Sequence, residues 1–100
     1  MKTLFEILIS IEEYKWSDAL FLPEEEEWNK ETLAMILDPD DVESEEDDAP
    51  KEALDNGLMY VLDVQTIQGI VENYKVGHKD VTGDDLLEAF LYYYDNDAYI

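Results

Sequence analysis

Twelve carboxylates stand in two short blocks of this chain. Asp38, Asp40, Asp41, Glu43, Glu45, Glu46, Asp47 and Asp48 fill eight of the eleven positions 38–48, and Glu24, Glu25, Glu26 and Glu27 lead directly into Trp28. Carboxylates at that density suit two chemistries: holding a cation, or imitating a phosphate backbone. Extended at ~3.3 Å per residue, the longer block spans roughly 36 Å and sets one charge every ~4.5 Å. A DNA strand carries one every ~3.4 Å, so a surface that attracts phosphate attracts this segment for the same reason. The bland alternative is a solvated spacer, which is how most charge runs behave. A calcium loop of EF-hand type fits poorly. Counted from Asp38 it needs an oxygen ligand at its fifth position and a glycine at its sixth, where the chain has Val42 and Glu43. No metal and no other cofactor is expected.

Catalytic side chains are few. There is no cysteine, the three serines sit in no recognisable motif, and His78 is the single imidazole, beside Gly77 and Lys79 in an expected turn. Nucleophilic catalysis needs an activated hydroxyl, thiol or amine next to a base, and no spacing here supplies the pair. Two carboxylates close together could do glycosidic acid–base work, but with 27 acidic residues in the chain such proximity carries no information. No glycine-rich phosphate loop is present. The expectation is a protein that is not an enzyme.

Charge over the whole chain says more. The 27 acids face six cations, all lysines, for a net charge of −21. Even if every lysine paired with one acid, that surplus would remain to be solvated or met by something positive. Like charges repel within a folded body, so the excess points to a basic partner. Nucleic acid and anionic lipid are disfavoured partners, because both require cationic surface. The missing cysteines suit a reducing cytoplasm. The apolar start of the chain is broken by Glu6, followed by Glu12 and Glu13, and offers no cleavage site; nothing approaches the ~20 apolar residues of a membrane span.

These residues need a scaffold, and 100 residues is the length of one domain, 1–100, with an acidic loop at 38–49. Thr3 and Glu6 have capping-box spacing ahead of Leu4, Leu8 and Ile11, which predicts a helix over 4–13. Residues 19–22 read as a buried strand stopped by Pro23, 33–37 as a second, and 58–62 as a third. Pro50 and Gly57 bracket a short helix. Asp63 is placed to cap a helix with Val64, Ile67, Val71 and Tyr74 on one face, and Thr82 with Asp85 to cap a last helix bearing Leu86, Leu87, Phe90, Leu91 and Tyr94. The order predicts an α+β fold: a small, three-stranded, largely antiparallel sheet with about four helices on one face. Trp16 is expected in the core. Trp28, inside a loop, and Tyr93, the middle of three consecutive tyrosines, are candidate interface anchors, since aromatics amid charge are typical of interfaces.

The stretches 16–23 (Trp-Ser-Asp-Ala-Leu-Phe-Leu-Pro), 37–43 (Leu-Asp-Pro-Asp-Asp-Val-Glu) and 86–100, with the opening 1–6, resemble a bacterial family of small acidic proteins encoded beside polymorphic toxins. The chain most resembles immunity proteins of contact-dependent growth inhibition systems. That resemblance implies a cytoplasmic protein that blocks a cognate toxin domain, frequently a nuclease. With the charge, it leads to the expectation of a monomer that binds a basic toxin domain one-to-one and covers its active site with the acidic residues, Trp28 and Tyr93. Two alternatives stay open: a phage-type nucleic-acid mimic acting on restriction or CRISPR machinery, and an acidic adaptor with no inhibitory role.

Overall fold

Thr3 enters the architecture in two ways. Its hydroxyl accepts from the Glu6 amide at 3.2 Å while the Glu6 carboxylate accepts from the Thr3 amide at 3.4 Å, which closes the expected capping box on helix α1, Leu4–Ile9. Its backbone, with that of Lys2, also forms strand β1, Lys2–Thr3. The computed structural model describes residues 2–24, 27–41 and 50–98. The helix expected to reach position 13 stops at Ile9 and continues as a 3-10 turn, Ile11–Glu13. Ser10 lies at the break, where its hydroxyl donates to the Glu6 carbonyl at 2.6 Å; such back-bonding competes with the helical ladder and bends it.

Strands β2 (Ala19–Pro23), β3 (Leu33–Leu37) and β4 (Leu58–Asp63) follow the expected apolar runs closely. Among the described residues the sheet has four strands, not three, in the order β1-β3-β2-β4, all antiparallel. The added strand pairs only Lys2 with Ala34 and Thr3 with Leu33. Two residues are too few to show the alternation by which a strand is read from sequence. Leu20 faces Leu62 but Phe21 faces Tyr60, so Val61 is an extra residue in edge strand β4. A bulge there twists the edge away from further pairing.

Side chains divide between the two faces with period two. Leu20, Leu22, Ala34, Ile36, Met59 and Leu62 join the main core, with Leu4, Leu8 and Ile11 and with residues of helices α3 (Val64–Gly77) and α4 (Gly83–Asn96). Ala19, Phe21, Met35, Leu37 and Leu58 face the other way and pack with Ala53 of helix α2, Lys51–Asp55. The helices therefore cover both faces rather than one. Every side chain from Ala19 to Leu22 is buried as a result. Asp63 Oδ1 accepts from the Thr66 amide at 2.7 Å to start α3, and Thr82 and Asp85 form the capping box of α4. Pro50 caps α2 rather than opening it, and Gly57, at φ +70, follows the C-cap where an αL residue ends a helix. Trp16 is not in the core. It sits in a turn closed by the Asp18 amide donating to the Lys15 carbonyl at 3.0 Å, and is 64% exposed.

Candidate functional site

The β2–β3 connection is braced against α1. The carbonyls of Thr32 and Lys30 accept from the amides of Leu4 and Phe5 at 2.7 and 3.1 Å, which satisfies donors that a helix N-terminus leaves open. Within the loop the Thr32 hydroxyl accepts from the Asn29 amide at 2.9 Å, and Asn29 Oδ1 accepts from the Glu31 amide at 2.8 Å. Trp28 is held from both sides. Its Nε1 donates to the Pro23 carbonyl at 2.8 Å. Its ring lies 4.9 Å from that of Tyr94, edge to face, and 6.4 Å from that of Phe90.

Half-buried Trp28 and 40%-exposed Tyr94 border a hollow of about 490 Å³ that Met59 and Leu91 also line. The remaining lining residues are the exposed acids Glu24, Glu27 and Asp95. A second depression, about 410 Å³, shares Leu91 and Asp95 with it and runs along α4 over Asp84, Leu87, Glu88 and Tyr92. Positions 84, 87, 88, 91, 92 and 95 form one helical stripe, so acids and apolar side chains alternate down the outer side of α4. Among the described residues the single ion pair is Lys30 Nζ with Asp84, 3.7 Å apart and exposed at both ends; such a pair contributes little.

The described members of the two acidic blocks do not share one surface. β2 and β3 are antiparallel, with Ala19 opposite Leu37 and Pro23 opposite Leu58. Glu24, Glu27 and Trp28 therefore leave one end of the sheet while Asp38, Asp40 and Asp41 leave the other. At that second end Asp38 Oδ1 accepts from the Asp40 amide at 2.9 Å and its carbonyl from the Asp41 amide at 3.1 Å. This is an Asx-type turn, in which Asp38, Asp40 and Asp41 are exposed. Glu25, Glu26, Glu43, Glu45, Glu46, Asp47 and Asp48 lie outside the described residues.

The tyrosine run does not face the core as a whole. Tyr93 is the more covered member, and Tyr92 and Tyr94 are 43% and 40% exposed. The residue beside Trp28 is Tyr94, which the helical period alone places on the core face. Tyr94, Leu91, Met59 and Asp95 were not legible as site residues, because what joins them to Trp28 is tertiary packing. His78 has structural company: its ring stacks on Tyr74 at 3.9 Å and its Nδ1 lies 2.8 Å from the Tyr74 carbonyl. The Tyr74 hydroxyl is pushed above the usual phenol range by burial and by the charges of Asp85 and Glu88. Among the described residues no three His, Asp or Glu side chains converge as metal ligands would, and no helix is long and apolar enough to cross a membrane.

Fold and site together define a small acidic α+β domain with an aromatic hollow at one end of its sheet. Over its whole length, residues 1–100, the chain matches the family described as Domain of unknown function (DUF7716), and it belongs to that family. No curated protein and no solved structure matches it.

Proposed function

We propose that this protein is a cytoplasmic, non-enzymatic inhibitor of the immunity type, which binds a basic toxin domain one-to-one. The observation that carries the reading is the hollow bordered by Trp28 and Tyr94, where four apolar or aromatic side chains meet the carboxylates of Glu24, Glu27 and Asp95, on a chain of net charge −21. Tight interfaces combine aromatic anchors with a polar rim. Here that rim has a single sign, complementary to a cationic surface. Nuclease active sites are cationic because they stabilise phosphate charge, so a nuclease toxin is the favoured target. Long-range attraction raises association toward ~10⁸–10⁹ M⁻¹s⁻¹ at low salt, which matters when the target is already acting in the cell.

The test starts at the gene. A toxin-type domain with a basic surface should be encoded beside this protein, and co-expression should restore growth to cells producing that domain. Growth unrestored, together with no complex on size-exclusion chromatography, would end the immunity reading. Neutralising Asp40, Asp41, Glu43, Glu45 and Glu46 to their amides should leave the fold intact, slow association with the toxin and so weaken protection. Full protection by that variant would make the 38–48 block a spacer and leave the Trp28 end as the contact.

A further inference from the structure

We infer that the Trp28–Tyr94 hollow is a seat for one arginine side chain of a basic protein partner, which rests on the proposed inhibitor function and names the group it would grip. The Trp28 indole N–H is already committed to the Pro23 carbonyl at 2.8 Å, so the ring is fixed in orientation and has no donor left to offer. What Trp28 and Tyr94 present is π surface, in an edge-to-face pair 4.9 Å apart. Leu91 and Met59 add apolar lining, and the charged members of the lining are Glu24, Glu27 and Asp95. All three charges are acceptors, so an anionic group is repelled and a cation with an apolar stem is matched. Aromatic faces attract cations through the ring quadrupole. Between the two natural cations, guanidinium is planar, more weakly hydrated and able to engage a carboxylate with two parallel hydrogen bonds while it stacks.

The occupant cannot come from this chain or from a second copy. The six cations of the sequence are all lysines, and a second copy brings its own charge of −21. The arginine has to belong to another protein of opposite charge.

The experiment uses the full chain carrying Trp16→Phe, which leaves Trp28 as the sole indole; Trp16 is exposed, so this change spares the core. Acetyl-arginine amide, its neutral isostere acetyl-citrulline amide and acetyl-lysine amide are titrated while the Trp28 indole N–H resonance is followed by NMR. Arginine should shift that resonance saturably and bind about tenfold more tightly than citrulline, the scale of a cation–π contact with charge assistance. Glu24→Gln/Glu27→Gln/Asp95→Asn, which keeps every side-chain shape, should remove most of that preference, and Tyr94→Leu should weaken arginine alone. Equal binding of lysine and arginine, or no saturable shift, overturns the proposal. The inhibitor reading fails separately. If arginine is seated as expected but the neighbouring toxin domain is not bound, the seat stands and the immunity role falls. If the toxin is bound undiminished by the amide triple variant, the role stands and the seat is wrong.

Discussion

Trp28 is tied into the fold by packing and by a hydrogen bond. Its ring packs on Phe90 and Tyr94 and its Nε1 donates to the Pro23 carbonyl. Truncation therefore removes core contact as well as any interface. Trp28→Ala should destabilise the free protein by about 3 kcal/mol, the low end of fully buried Trp truncations, because the side chain keeps some exposure. Trp28→Phe keeps most packing and loses the hydrogen bond, for about 1 kcal/mol. Urea melts of both variants check this; a Trp28→Ala melt that overlays the parent would show that the ring contributes nothing to the fold. Gly83 is a second residue whose size matters. A Cβ there would overlap the Phe5 ring, which closes α1 against the start of α4. Gly83→Ala should cost about 1–3 kcal/mol from overpacking, and pairing it with Phe5→Ala should cost less than the sum of the two single changes. Strict additivity in thermal melts would place the strain elsewhere. Tyr60 offers a titration. Burial, and then the charge of Asp63, raise its hydroxyl above the ordinary phenol range. The unfolded chain then loses this proton at lower pH than the folded one, so between those two values the native state binds more protons and stability falls as pH rises. Tyr60→Phe should remove that part of the alkaline loss, measured as Tm against pH above about pH 10.

At the scale of elements, α3 depends on one cap. Asp63 Oδ1 holds the Thr66 amide at 2.7 Å, and Asp63→Ala should lower stability by about 1 kcal/mol, whereas Asp63→Asn should lose less, since Asn caps almost as well. Equal losses in chemical denaturation would mean that charge at the helix start, rather than the cap hydrogen bond, carries the effect. The same cap shows why this element was legible: Asp63, Thr3 with Glu6, and Thr82 with Asp85 are local signals that act within one turn. The strands at 19–23 and 33–37 were legible for a related reason, as short apolar runs punctuated by Pro23 and by Asp38-Pro39. β1 was not, because a two-residue strand exists only through its partner Leu33–Ala34. Trp16 was misplaced because hydrophobicity argues for burial and nothing local shows that a turn points it outward. The placement of α2 on the second face also depends on tertiary packing, through Ala53 against the layer of Phe21 and Leu58. The candidate site was half legible: Trp28 and its glutamates stood out by composition, while Tyr94 and Asp95 joined them only when α4 docked.

Charge acts over the whole molecule, which is 45 Å long and 24 Å across, and its distribution follows from strand direction. Because β2 and β3 are antiparallel, Glu24 and Glu27 lie at one end of the sheet and Asp38, Asp40 and Asp41 at the other. Each end repels itself at short range, and screening reduces the repulsion between the ends, since the Debye length falls from ~10 Å at 0.1 M salt to ~3 Å at 1 M. Sodium chloride should therefore stabilise the free protein. Relief worth ~1 kcal/mol would raise Tm by ~4–8 °C in a domain of this size. Neutralising Glu24 and Glu27 to Gln, or Asp38, Asp40 and Asp41 to Asn, should each raise Tm at low salt and shrink the further gain from added salt. Asp38 makes the measurement discriminating, because its carboxylate also accepts from the Asp40 amide at 2.9 Å; Asn retains an acceptor there, so the turn survives while the charge goes. With the two groups a strand's length apart, the combined variant should show nearly the sum of the two gains. A gain far short of that sum would show that the ends communicate through the fold or through residues 42–49. A Tm that falls with salt in the parent would mean that attraction, not repulsion, dominates its charge pattern, and the case for an external basic partner would lose its electrostatic footing.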